Sequence, residues 1–587
     1  QPQTRTSRTT ARPCIARLPR RRGHPALPDT TVRLGNFDPE RLAEDFPGFI
    51  PVAEERNGAT CYRLRLPSFP QGREFEAAEL VLPRGFPDQF AARIRLSSDA
   101  VLRLPHVEKD GFLCIDGDPG PSSGASADDR IYWLLDAFEK KFLRPWLLGE
   151  LDDDFAKEAL DYWRIYVDQH AHPEDAINSV WIAEPPCEAR VVDCALFTPA
   201  GIIAVHAEHR VLGRIRHSLG ATAKQELRAV VADIPIDNAL TPQTWPQSMD
   251  DLRFILNGRL PEPDCKKMLE PRRRNGRTHH RVVLLRNPAF GFAYLLPGGP
   301  TIQAGGKKKQ RARLPSKSPR PLNVSRIDAS WIVGRDQHPV GLRQSVRVLV
   351  LGAGALGSPV VDQLAKAGIG HIDLVDPQNM VAENVGRHLL GAESIQSSKA
   401  ISIAQRIETG QPHTSITPSV QPAEVWLREQ GLGGVDAVLD LTGEPDVRWA
   451  VEKARKEIPC ALLIGWLEPY VAAAHACVLP AGVEWMRDGD DPMVHLEAVE
   501  WPSDVMQQQP GCSSRFQSYT AAAAAHAVAL VAEQALALID GEIQEARIVS
   551  WIRGKRFLSA HRDDLILREW AHPAAEYDGL VLERPFK

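Results

Sequence analysis

The stretch that most constrains the fold runs from Val346 to Gly357. Residues 346–351 (VRVLVL) form a nearly continuous apolar run that passes directly into Gly352-Ala-Gly354-Ala-Leu-Gly357. Such a run reads as a strand buried on both faces, which is the habit of parallel sheets. The spacing predicts a helix over 358–367, with Pro359 in its permissive first turn and Gly368 as its stop. A strand over 371–375 follows and ends in Asp376, and a later apolar strand over 435–441 holds Asp440 near its end. Strand, glycine-rich turn, helix, strand and acid make up the mononucleotide-binding half of a doubly wound α/β fold. The glycines let a phosphate approach backbone N–H groups at a helix start, and Asp376 is placed to accept from a ribose.

That pattern alone fits either dinucleotide redox chemistry or ATP chemistry. The next segment separates them. It carries Asn384, Arg387 and Lys399 in close succession. Hydride transfer has no need of such a group, whereas adenylation builds negative charge on the α-phosphate and the departing pyrophosphate. Together these motifs resemble the ThiF-type adenylating domain shared by molybdopterin and thiamin-pathway activators and by ubiquitin-activating enzymes, over residues 326–587. The resemblance implies a Rossmann-like domain with a parallel-rich sheet, ATP and Mg2+ as its small-molecule requirements, and homodimerisation. It assigns Gly352, Gly354 and Gly357 to the nucleotide and Asp376 to the ribose. Asn384, Arg387 and Lys399 go to the phosphates, and Arg335 to a role across the dimer. One departure stands out. Where the family has Asp-x-x-Asp-Asn, this chain reads Asp440-Leu-Thr-Gly443-Glu444. The metal-binding duty would then fall on Asp440 or Glu444. The zinc-binding cysteine pairs of several relatives are absent, so no structural zinc is implied.

Two cysteines sit in reactive contexts. Cys512 lies in a polar Gly511-Cys512-Ser-Ser loop just before a long Ala-rich stretch, a setting that suits a nucleophilic thiolate. Its position is similar to that of the thioester-forming cysteine of activating enzymes. Near the other end, residues 104–116 read LPHVEKDGFLCID. Pro105, Asp110, Gly111, Cys114 and Asp116 match the active-site stretch of ubiquitin-conjugating enzymes, and the resemblance covers residues 29–172 as an α+β domain. Within it the apolar patterning predicts a strand over 93–96 and helices over 129–142 and 152–167. His106 stands where that family has its oxyanion-stabilising Asn. An imidazole can donate to developing negative charge or act as a base. Cys460 and Cys477 lie in apolar runs and read as packing.

A conjugating-like domain ahead of an activating-like one resembles the fused enzymes of bacterial antiphage signalling (CBASS) operons. Those attach the C-terminus of a cGAS-like nucleotidyltransferase to targets. The resemblance implies a relay in which the partner is adenylated, captured on Cys512, passed to Cys114 and delivered to an amine. Two rival readings stay open: a sulfur-carrier adenylyltransferase of the molybdopterin or thiamin type, and a non-enzymatic scaffold with a degenerate site.

The 587 residues suggest about three or four domains. The expected order is a basic tail 1–28, the conjugating-like domain 29–172, a region of unassigned fold 173–304, a basic linker 305–325 and the adenylation domain 326–587. Lys+Arg 70 against Asp+Glu 75 gives no global attraction to nucleic acid or anionic membranes, so no direct nucleic-acid role is expected. The Ala-rich stretch 520–539 is interrupted by His526, Glu533 and Gln534 and reads as a buried helix, with no membrane span expected. The nine cysteines are scattered without a CxxC pair, which fits a reducing, cytoplasmic setting.

Overall fold

The computed structural model describes residues 38–586 apart from 172–174, 186, 206–208, 221–223, 271–272, 275–276, 299–317, 335–338, 487–488, 506, 509–514 and 517–518. The tail 1–28, Arg335 and Cys512 therefore lie outside the described residues. The chain divides into two units, one ending at Asp154 and the other beginning at Phe155.

In the first unit, strands Phe49–Arg56, Ala59–Leu64, Ala78–Pro83 and Arg93–Leu96 form an antiparallel sheet in sequence order. Leu80 and Ile94 of the sheet bury against Ile131 and Leu134 of helix Ala127–Ala137. Ser126 starts that helix by accepting the Asp129 N–H at 3.2 Å. A single helix was expected over 129–142; instead the chain passes into a π-helical turn, Phe138–Leu143, and then Arg144–Leu148. Arg130 pins the helix to the loops beside it. Its guanidinium donates to both carboxylate oxygens of Asp118, at 2.6 and 2.9 Å, and to the carbonyls of Pro87 and Phe90. Both side chains are almost wholly buried, and such a pair endures only with its remaining hydrogen bonds satisfied. Asp118 completes its set with the Ala92 and Gly120 N–H groups.

The second unit opens with the region that sequence left unassigned. Its strands form a closed barrel in the order His280–Arg286, Gly291–Leu295, Arg320–Arg326, Ser179–Ile182, Ile202–Val205, Arg190–Thr198 and Lys224–Pro235. Two expected boundaries change here. The segment 305–325 was expected as an exposed linker, but Arg320–Arg326 is a barrel strand, pairing with Gly291–Leu295 on one side and Ser179–Ile182 on the other. Residues 305–317 of that segment lie outside the described residues. Helix Ala159–His170, expected in the conjugating-like domain, packs on the barrel. Its Trp163 donates Nε1–H to the Leu322 carbonyl at 3.1 Å and meets Phe292 and Trp245 edge-on. A buried aromatic of that size, with its N–H satisfied, fixes where the helix belongs.

The rest of the unit is an α/β domain with a mixed eight-stranded sheet. Strands Ser415–Ser419, His371–Val375, Arg347–Leu351, Ala437–Asp440 and Ala461–Leu467 run parallel in that order. Strands Ala473–Leu479, Arg547–Ile552 and Leu580–Pro585 continue it antiparallel. Apolar clusters cover both faces, as the run at 346–351 required. Helix Ala521–Ile539, capped by Thr520, contributes Ala527, Val531 and Ala535 to one of them. By length and composition it is the one described helix that passes for a membrane span, yet 44% of its apolar window is buried inside the domain. Arg214, on helix His209–Ser218, joins barrel to sheet by donating to Glu408 at 2.7 Å and to the Pro412 carbonyl at 3.1 Å.

Candidate functional site

Strand Arg347–Leu351 lies between His371–Val375 and Ala437–Asp440, and the chain crosses over in opposite directions on its two sides. Ligands in open α/β sheets bind at this switch point, beyond the carboxyl ends of the strands. Each glycine there has its own reason. Gly352 has a φ of +90°, and a Cβ on it would meet the Leu441 carbonyl at 3.1 Å. A Cβ on Gly357 would lie 2.0 Å from the Gly352 oxygen, so only glycine lets helix Gly357–Lys366 begin against the turn. A Cβ on Gly354 would meet nothing within 4 Å. That open side is where a phosphate can approach the backbone.

The residues picked out for nucleotide binding gather around this turn. Asp376 accepts the Ala353 N–H at 2.7 Å and the Gln378 N–H at 2.8 Å, tying this acid to the glycine loop. Lys399 starts helix Lys399–Gly410, is only 4% exposed, and donates Nζ–H to Gln378 Oε1 at 2.7 Å. Burial pushes its pKa down, and the nearby Asp376 charge opposes that shift. Asn384 turns the intervening loop, its carbonyl accepting the Arg387 and His388 N–H groups at 2.9 and 3.0 Å. The Arg387 guanidinium lies over the Tyr519 ring at 4.9 Å. Arg387 and His388 line a pocket of about 720 Å³ with Ala355, Pro359 and helix Ala521–Ile539, along most of its length from Ala521 to Leu536. Sequence reasoning missed Gln378, Ser358 and His388. Ser358 Oγ–H donates to the Gly354 carbonyl at 2.8 Å and accepts the Leu389 N–H at 3.2 Å. Adjacency to Asp376, the glycines and Arg387 was the only available signal for these three.

The two acids considered for magnesium differ sharply. Asp440 is 1% exposed, and its Oδ1 accepts from the Thr442 N–H and hydroxyl at 3.0 and 2.6 Å. Its Oδ2 is buried with no partner, and burial pushes its pKa up to about 6. Glu444 is exposed at the start of helix Pro445–Glu457. No cluster of three acidic, histidine or cysteine ligands occurs among the described residues. One unsatisfied buried carboxylate oxygen fits an ion that arrives on ATP phosphates, since magnesium in such sites needs only one or two protein carboxylates.

Cys114 lies in the first unit, on a loop stitched to the sheet edge. Leu113 N–H donates to the Ile94 carbonyl and Leu96 N–H to the Gly111 carbonyl, both at 2.8 Å. Gly111 has a φ of +84°, and a Cβ there would strike the Leu96 oxygen at 2.8 Å. The Cys114 N–H donates to the His106 carbonyl at 2.7 Å, bringing these two residues together. His106 holds a left-handed φ of +60°, and its Nε2 lies 3.0 Å from Asp154 Oδ2. Strain of this kind in a non-glycine residue clusters at functional sites. Among the described cysteines only Cys114 is exposed; Cys460 and Cys477 are buried, as packing requires.

A crevice at a glycine turn, with Lys399 buried and Arg387 half-buried beside it, is the kind of site that ThiF adenylating enzymes share. The ThiF family model matches residues 335–550, a little over a third of the chain. The chain is also similar to the ATP-dependent ubiquitin transferase-like protein Cap2 of Pseudomonas aeruginosa (strain BWHPSA011 / Pa011). Identity is 24% over 416 residues, covering 67% of this chain and 72% of that one. The adenylyltransferase and sulfurtransferase UBA4 of Yarrowia lipolytica (strain CLIB 122 / E 150) is 37% identical over 108 residues, 18% of this chain and 27% of the relative. The chain thus spans about a quarter of that relative's length. Among solved structures, E. coli MccB with MccA-N7isoASN overlays with a TM-score of 0.28 and 15% identity, covering 36% of this chain and 62% of the other.

Proposed function

We propose that this enzyme uses ATP to activate the C-terminus of a partner protein and transfers it through two thioesters to an amine, as part of antiphage defence. The terminal carboxylate attacks the α-phosphorus. A P–O bond forms, the bond to the β-phosphate bridge breaks, and pyrophosphate leaves. The Cys512 thiolate then attacks the acyl carbon and releases AMP. Cys114 takes the acyl group by transthiolation, returning the Cys512 thiolate. An amine attacks the second thioester; the C–N bond forms, the C–S bond breaks to return the Cys114 thiolate, and the nitrogen loses a proton to leave an amide. Lys399, Arg387 and the N–H groups of the glycine turn hold the phosphates, Asp376 the ribose, and Asp440 with Glu444 the magnesium carried by ATP. His106, oriented by Asp154, serves the acyl transfer at Cys114. The partner on this reading is a cGAS-like nucleotidyltransferase, and the adenylation domain acts as a homodimer in which Arg335 reaches the neighbouring site.

The observation that carries this reading is the exposed Cys114 on a strained loop in a unit of its own. The similarity to Cap2 supports it, because its 416 aligned residues exceed the span 326–587 of the adenylation domain. The likeness to UBA4 extends over 18% of the chain and gives a docking-module reading of the first unit no such support. ATP–pyrophosphate exchange is the direct test. Exchange should appear with the nucleotidyltransferase and vanish when its last residues are deleted. Exchange absent with every partner offered, or indifferent to the deletion, contradicts activation of a C-terminus.

A further inference from the structure

The turn that faces the open side of Gly354 is braced from behind by the loop after Asn384. His388 Nε2 lies 2.6 Å from the Ala353 carbonyl, and His388 Nδ1 accepts the Leu390 N–H at 3.1 Å. The second bond makes Nδ1 an acceptor, so Nε2 bears the hydrogen and the ring is neutral. A trans peptide is planar, with C=O and N–H pointing in opposite directions. Drawing the Ala353 carbonyl toward His388 therefore aims the Gly354 N–H the other way. Ser358 does the same for the next peptide unit by donating to the Gly354 carbonyl, and Leu389 N–H holds that hydroxyl in place.

We propose that neutral His388 is a positioning residue that aims the N–H groups of the glycine turn at the nucleotide phosphates, so that ATP binding fades when the ring takes up a proton. The inference rests on the adenylation reading of the crevice. Protonation would put a hydrogen on Nδ1 against the Leu390 N–H and push the loop off the turn. The charged groups around the ring are Lys399 and Asp376 on the sheet side, Arg387 on its own loop, and Lys366 and Glu533 across the pocket. Burial, with the Lys399 charge, holds the imidazole below its ordinary range, and the bond to Ala353 and the Asp376 charge oppose this. The neutral form thus prevails at neutral pH, and the loss falls on the acid side.

Calorimetric titration of the full chain with ATP, from neutral into mildly acid pH, tests this without any partner. Wild type should lose affinity about tenfold toward acid. His388→Gln keeps a donor and an acceptor without a proton to gain, so it should bind like wild type at neutral pH with a flatter profile. His388→Ala should bind about tenfold more weakly at neutral pH. An acid loss in His388→Gln equal to that of wild type, or full affinity in His388→Ala, overturns the proposal. Should the alanine variant fail to fold, the glutamine profile decides alone. A wild type that binds ATP identically at every pH overturns the role of His388 and leaves the adenylation reading standing. One that binds none at any pH removes both.

Discussion

Replacing Cys114 by alanine should abolish transfer of the activated partner to amines and leave ATP–pyrophosphate exchange at the wild-type rate. The exchange reaction needs only the crevice of the second unit, whereas Cys114 belongs to the first. No other described cysteine can take over, because the rest are buried or half-buried, and burial pushes the Cys194 thiol far up and those of Cys61 and Cys460 up as well. Removing the nucleophile of a covalent route costs at least about 10³-fold in rate, since the remaining groups cannot form the intermediate. Amide formation counted by mass spectrometry, alongside exchange in the same preparation, gives both numbers. Transfer that survives the substitution would place the second thioester elsewhere. Exchange lost together with transfer would mean that the substitution disturbs more than the thiol.

Lys399→Ala should lower kcat/KM for exchange by about 10²–10³-fold, the usual cost of removing one preorganised charge from an anionic transition state. Lys399 is buried beside Asp376, with its ammonium held by Gln378 Oε1, so its position is set before ATP arrives. Arginine should not restore the rate, because a planar guanidinium fits neither the space nor the single acceptor. Burial places the lysine below its ordinary range, so exchange should fall on the alkaline side earlier than a free lysine would allow. That limb should be missing from the residual activity of the alanine variant. A loss below about threefold would show that the ammonium does not face the phosphates.

Legibility followed the range of the interaction. The strand at 371–375 and the helix after the glycine turn emerged nearly residue for residue as His371–Val375 and Gly357–Lys366, because apolar period and turn chemistry are local. Strand Arg93–Leu96 was readable for the same reason. The barrel was not. Its closing strand Arg320–Arg326 has the sequence RPLNVSR and is held by partners drawn from Ser179–Ile182 and Gly291–Leu295, so no periodicity within it signals burial. The helix expected over 152–167 breaks at Glu158, and its later part leaves the first unit because Trp163 finds the barrel. At the sites, the residue types were visible and their braces were not. Asp376, Lys399 and Arg387 stand out by spacing, whereas Asp154 beside His106 and Asp118 beside Arg130 are joined only by folding.

Intact-mass analysis under non-reducing conditions, with ATP, magnesium and the nucleotidyltransferase, tests the central claim most directly. A thiol-labile partner adduct is expected on Cys114 in the wild-type chain, absent from both Cys114→Ala and Cys512→Ala. An adduct on Cys114 that persists in Cys512→Ala, or none in wild type while amide product accumulates, would contradict it.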